Sequence, residues 1–140
     1  MSADSQWQIR AALFTRLREN AALTALLKNG AESISDTAAG AAEMPYLALG
    51  ETRAEALDTQ TGNGMKLVVA LESYSRYRGM REIKQIMQAV YAALHNAQDF
   101  YLPGHHVVLC RFLSSRAFTE SDGKTRCGIQ YFKIITDEKP

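Results

Sequence analysis

Between Gly79 and Asn96 the apolar residues Ile83, Ile86, Met87, Val90, Tyr91 and Leu94 recur at i, i+3, i+4, i+7, i+8 and i+11. One unbroken stripe at that spacing is the mark of a helix laid on a packed surface. Arg81, Glu82, Lys84, Gln85 and Gln88 take the wet side. On both sides of this helix the period changes from 3.6 to 2. Residues 46–52 and 65–74 read as strands around the polar stretch 58–64, where Asn63-Gly64 is a turn signal because both residues tolerate positive φ. Residues 107–118 and 126–136 read as a second pair around Asp122-Gly123. Two hairpins with one amphipathic helix between them imply an α+β fold, a mostly antiparallel sheet with helices packed on one face.

The N-terminal part supplies the remaining helices. Ser5 or Asp4 can cap a first helix with Trp7, Ala11, Phe14 and Leu17 on its apolar side and Arg10, Arg16, Arg18 and Glu19 mostly opposite. Asn20 can cap a short second helix carrying Leu23, Leu26 and Leu27, which Asn29-Gly30 ends. Residues 31–45 read as a loop, with a short strand around Ser33-Ile34-Ser35 as an option and Pro45 at the start of the next strand. The 140 residues make one domain, large enough for its own core, with a frayed tail expected over 137–140.

Composition narrows function by exclusion. Hydrophobic residues are 46% and charged residues 22%, which is globular rather than disordered. A net charge of +1 argues against nucleic-acid binding as a primary activity. No apolar run is long enough to span a bilayer. Met1-Ser2-Ala3-Asp4-Ser5-Gln6 lacks the basic and apolar regions of a signal peptide, so a cytoplasmic chain is expected, with Cys110 and Cys127 reduced rather than bridged.

A search for chemistry finds bland explanations throughout. Gly62-Asn63-Gly64 is not followed by Lys-Ser or Lys-Thr and precedes a strand, so it is a turn and not a phosphate loop. There is no Gly-x-Ser-x-Gly elbow and no Cys-x-x-Cys pair. His105 and His106 with Cys110 are the nearest approach to a metal cluster, but adjacent residues of a strand point to opposite faces and the ligand count is short. His95 fits a helix C-terminus, where the dipole favours a partly protonated imidazole. Glu51 and Glu55 have no partner that would make them a catalytic pair, and Asp122 reads as turn chemistry. The stretch from Tyr74 to Arg81 stands out, since Tyr74, Arg76, Tyr77, Arg78 and Arg81 interleave aromatic with basic side chains. It reads as a solvated loop or, with nearly equal weight, a protein contact; nucleic-acid contact is the least favoured.

Taken in order, the segments resemble the small phage tail-completion, or tail-terminator, proteins of the DUF3168 type, found in siphophages, prophages and gene transfer agents. The opening helices with Asn20-Ala21-Ala22-Leu23-Thr24-Ala25-Leu26, the strand Met44-Pro45-Tyr46-Leu47-Ala48-Leu49-Gly50-Glu51, and the unit Leu67-Val68-Val69-Ala70-Leu71-Glu72-Ser73-Tyr74-Ser75 followed by Gly79 and its helix carry the likeness. The last hairpin adds Phe112, Asp122-Gly123 and Gly128-Ile129-Gln130-Tyr131-Phe132, so the likeness runs from about Ile9 to Ile135. Tyr74 stands where such proteins often carry Trp, which leaves the packing of that strand end open.

The resemblance implies a structural role without catalysis, cofactor or metal: a ring that caps the tail tube and joins it to the head-proximal connector. The implied partners are the chain itself in a ring (a hexamer is one such size, with a monomer as the isolated state), the major tail-tube protein and the head–tail connector protein. No membrane is implied, and DNA is met only incidentally in the lumen. The implied location is the host cytoplasm during assembly and then the virion tail. Candidate interface residues are Thr59, Gln60, Thr61 and Asn63 at the first hairpin tip, and Tyr74, Arg76, Tyr77 and Arg78 after the central strand. Another connector or tube subunit, and a small α+β ligand-binding domain or enzyme, are the alternatives.

Overall fold

The central stripe settles the architecture. In the computed structural model, which describes residues 4–36, 43–58 and 62–139, helix α3 spans Arg81–Leu94 and buries Ile83, Ile86, Met87, Val90, Ala93 and Leu94 against a sheet. Each of the five larger side chains removed from water contributes about 1.5–3 kcal/mol. Tyr91, expected in this stripe, is 40% exposed. It sits at the stripe's margin, stacked on His95 at 4.7 Å and edge-on to Phe112 at 5.3 Å.

Among the described residues the sheet has five strands: β1 (Ile34–Ser35), β2 (Tyr46–Ala56), β3 (Gly64–Ser75), β4 (His105–Thr119) and β5 (Arg126–Glu138), in the spatial order β1-β2-β3-β5-β4. Of these strands only β1 and β2 pair in parallel. Both expected hairpins form, and β3 and β5 pair at the centre from Gly64 with Asp137 to Ser75 with Arg126. Alternation places Leu67, Val69, Leu71, Phe132 and Ile134 under the helices, all buried. Strand β5 continues through Asp137 and Glu138, and the Lys139 N–H donates to the Gly104 carbonyl at 2.8 Å. The fraying expected of the tail therefore does not reach these residues; Pro140 lies outside the described ones.

Helix α1 (Gln6–Arg18) corrects the expected phase. Its buried residues are Ile9, Leu13 and Leu17, while Trp7 is 70% exposed. The reason is that the arginines of α1 do not stay in water. Arg16 Nε donates to the Ala93 carbonyl at 2.9 Å, and Arg18 Nε to the Ala31 carbonyl at 3.0 Å. Arg16 also pairs with Asp99 at 2.7 Å, and its guanidinium lies 4.9 Å from the Phe100 ring centroid. Aliphatic stems and guanidinium donors thus share the inner side with the apolar residues, and the sequence stripe blurs. Helix α2 (Ala21–Thr24) is capped as expected, with the Leu23 N–H donating to Asn20 Oδ1 at 2.9 Å.

Candidate interaction surfaces

The described members of the two candidate groups stand at opposite ends of the sheet. Asn63 precedes Gly64, whereas Arg76, Tyr77 and Arg78 follow Ser75. Strand β3 holds them apart by roughly 36 Å at its per-residue rise. Thr59, Gln60 and Thr61 lie outside the described residues. Asn63 is exposed, and its carbonyl accepts the Glu138 N–H at 3.0 Å.

At the other end, Tyr74 lies on the sheet face that carries no helix. Its ring stacks on Tyr46 at 4.8 Å, and its hydroxyl donates to Glu72 at 2.6 Å. This aromatic pair closes the strand end. Burial first, then the bond to Glu72, raise the Tyr74 hydroxyl above its ordinary range, so it is a donor and not a base. The turn after β3 is fixed through Ser75, whose hydroxyl donates to Glu82 at 2.6 Å and accepts the Tyr77 N–H at 3.0 Å. Glu82, expected on the wet side, is therefore half-buried and ties α3 to β3.

Arg76 is not free either. Its Nε donates to Thr125 Oγ1 at 3.3 Å, and Nη2 lies 3.9 Å from Asp122. Asp122 organises the β4–β5 turn as expected, accepting the N–H groups of Lys124 and Thr125 at 2.8 Å and the Thr125 hydroxyl at 2.6 Å. Those bonds, and then the Arg76 charge, hold its carboxyl down at about 2. The loop thus divides into an anchor, Arg76, and an outward pair, Tyr77 (50% exposed) and Arg78.

Sequence reasoning missed three surface features. The first is a groove of about 940 Å³ between α1 and the end of α3, floored by Ala11, Ala12, Ala92 and Ala93, with Trp7 and the 80%-exposed Tyr101 among its lining residues. The second is a clamp on β2. All five guanidinium donors of Arg10 find acceptors: Asp36 Oδ1 at 2.7 Å, the Asp36 carbonyl at 2.5 Å, the Leu49 carbonyl at 3.1 Å, the Gly50 carbonyl at 2.8 Å and Thr52 Oγ1 at 3.2 Å. The third is a cover on β4. The Asn96 N–H donates to the Cys110 carbonyl at 2.8 Å, the Phe112 N–H to His95 Nδ1 at 3.2 Å, and Gln98 Nε2 to the Val108 carbonyl at 2.8 Å. His95 therefore uses Nδ1 as an acceptor on the edge of the sheet, a role its helix-end position did not suggest.

The cysteines and histidines do not converge. Cys110 pairs across the ladder with Ile134 and Cys127 with Phe118, so both are free and buried, far out of register with each other. Burial pushes Cys110 up to about 12; burial, followed by Glu120 and Glu72, pushes Cys127 up to about 11. His105 is buried and His106 exposed, on opposite faces as the alternation requires. Among the described residues no group of three or more His, Cys, Asp or Glu side chains is placed to hold a metal ion. Glu51 is exposed, and Glu55 pairs with Lys66 at 3.4 Å on the neighbouring strand. No helix among the described residues is long and apolar enough to cross a membrane.

The sequence matches the family described as tail completion protein gp17 over residues 11–137. The chain belongs to this family. Its role is accordingly structural, in the assembly of a phage tail. The tail completion match runs from within α1 to Asp137 near the end of β5, so both candidate clusters fall inside it. The fold is similar to that of a chain in a solved structure titled as the virion of a native gene transfer agent particle. That likeness has a TM-score of 0.85 at 23% identity and covers 97% of this chain and 99% of that one. No curated protein sequence matches it.

Proposed function

We propose that this tail completion protein works as a ring of identical subunits that caps the tail tube and joins it to the head-proximal connector, without making or breaking a covalent bond. The observation that carries this reading is the separation of two unlike surfaces on one sheet. A polar hairpin end at Asn63 lies at one pole, and the outward Tyr77 and Arg78 lie at the other. A subunit that meets a tube on one side and a neck on the other needs such axial polarity, and ring closure needs two further complementary sides. Tyr and Arg are the residue types that anchor protein contacts, and here they are held on a turn fixed by Ser75, Glu82 and Arg76. The reading places the chain in the host cytoplasm during assembly and in the virion tail afterwards.

The test is electron microscopy of the purified chain mixed with a tail-tube protein from the same source. Rings, or tubes capped at one end and shortened, are the expected result, and Tyr77→Ala with Arg78→Ala should reduce capping while the monomer melts unchanged. Unaltered tubes with the chain left free would overturn the capping role. Long filaments of this chain alone would make it a tube subunit.

A further inference from the structure

We propose that the two uncovered edges of the sheet pair with each other between neighbouring copies, residues 53–56 of one copy running antiparallel to residues 115–118 of the next with Glu55 opposite Arg116. This rests on the ring reading above and names the contact that closes it. An open strand edge presents unpaired N–H and C=O groups, and proteins generally protect such edges. Here each outer edge is protected along one half only. On β2, strand β1 covers Leu47 and Ala48, and the Arg10 guanidinium covers Leu49, Gly50 and Thr52. On β4, the segment from His95 to Gln98 covers Val108 to Phe112. Among the described residues nothing pairs with the outer side of β2 beyond Thr52 or of β4 beyond Phe112.

Strand direction suits the junction. Strands β2 and β4 run oppositely, because three antiparallel pairings separate them. Copies related by rotation about a ring axis keep their strand directions, so β4 of one copy meets β2 of the next antiparallel, the better-bonded arrangement. Charge fixes the register. The open part of β4 carries Arg116 and no carboxylate, while the open part of β2 carries Arg53 and Glu55. Both Glu55 and Arg116 project from the face without helices, as their ladder partners Lys66 and Ile129 do. With Glu55 opposite Arg116, Arg53 falls opposite Phe118. A slip of two residues sets Arg53 against Arg116 or leaves Arg116 against Leu57, and a slip of one turns every side chain to the wrong face.

The offset between the open halves is also the right size. Glu55 stands level, through Lys66, with Ile135, and Arg116 stands level with Ile129, six residues back along β5. That step is ~20 Å along the strands for ~19 Å across the four strands of one repeat. A ring without axial rise then requires strands tilted by ~45°, close to the tilt at which sheets close into barrels.

Glu55→Arg, Arg116→Glu and the double reversal test the pairing, with ring formation on the tail-tube protein as the readout. Each single reversal should lower the ring fraction by about tenfold or more, since like charges then face each other at every junction. The double reversal should restore it, and all monomers should melt alike because both residues are exposed. A second measurement is independent of charge. In this register Ala56 faces Ser115, so Ala56→Cys mixed with Ser115→Cys should give a crossed disulfide dimer under mild oxidation, whereas neither alone does. The native cysteines stay silent, being buried. Wild-type rings that both single reversals form equally well, with no crossed dimer, would overturn the edge pairing and leave the ring standing. Absence of rings from the wild type would overturn both.

Discussion

Asp122 shows how one side chain can organise a turn and make it sensitive to acid. It accepts two backbone N–H groups and the Thr125 hydroxyl, and Arg76 stands beside it. Its folded carboxyl sits at about 2, against about 3.9 in an unfolded chain. A depressed value of this kind stabilises the fold above the unfolded pKa, and the contribution is lost as pH falls from about 5 toward 2. Asp122→Asn keeps an oxygen acceptor but removes the charge. It should melt at a lower temperature than wild type at neutral pH, with the gap closing as pH approaches 2 in a series of circular-dichroism melts. A gap that stays constant across that series would show that shape, not charge, holds the turn. Exposure to solvent keeps the effect small. Arg10 has a different place in the chain's logic. It is 21% exposed at its side chain and replaces a neighbouring strand where β1 stops, so a charged residue of α1 ends the sheet's pairing there.

At the scale of elements, the contact between α3 and β5 sets the thickness of the two layers. A Cβ at Gly128 would lie 2.5 Å from Met87 Sδ and 3.2 Å from Ile83 Cγ1. The methionine end can move, but the branched isoleucine one turn away has less room. Gly128→Val should therefore destabilise the chain by about 1–3 kcal/mol in urea unfolding, and Gly128→Ala by less. An unchanged midpoint for the valine variant would mean that helix and sheet are not closely seated there. This close approach was not readable in the sequence, although both elements were. The hairpins and α3 were legible because their periods of 2 and 3.6 reflect one buried face each, at Leu67, Val69 and Leu71 or Ile83, Ile86 and Val90. The phase of α1 was not legible, because Arg10, Arg16 and Arg18 reach backbone carbonyls contributed by distant segments. The same holds for the candidate surfaces. Exposure of Tyr77 and Arg78 could be guessed from composition, whereas the tether on Arg76 needs Thr125 and Asp122, residues 49 and 46 positions away. The open halves of β2 and β4 were invisible for a related reason, since an edge is defined by what the rest of the chain does not cover.

Over the whole molecule, helices lie on one side of the sheet, and the other side carries Tyr46, Tyr74, Ile129 and Tyr131 among charged residues of both signs. A ring closed through its strand edges has the bulkier helical layer on the outside, where the circumference is larger. The face without helices then turns toward the lumen, and its mixture of Lys66, Glu72, Arg116 and Lys133 suits incidental rather than tight contact with DNA. The chain's single tryptophan reports on this arrangement. Trp7 is 70% exposed in a groove shared with Ala92, Ala93 and Tyr101, on the helical side. A junction made by residues 53–56 and 115–118 leaves that groove uncovered. Quenching of Trp7 fluorescence by acrylamide should therefore be as efficient in the ring as in the monomer. Protection that develops as rings form, before any tube is added, would place the helical layer in the subunit contact and count against closure through the sheet edges. Protection that develops only on adding the tube protein would instead mark the groove as the surface that meets the tube.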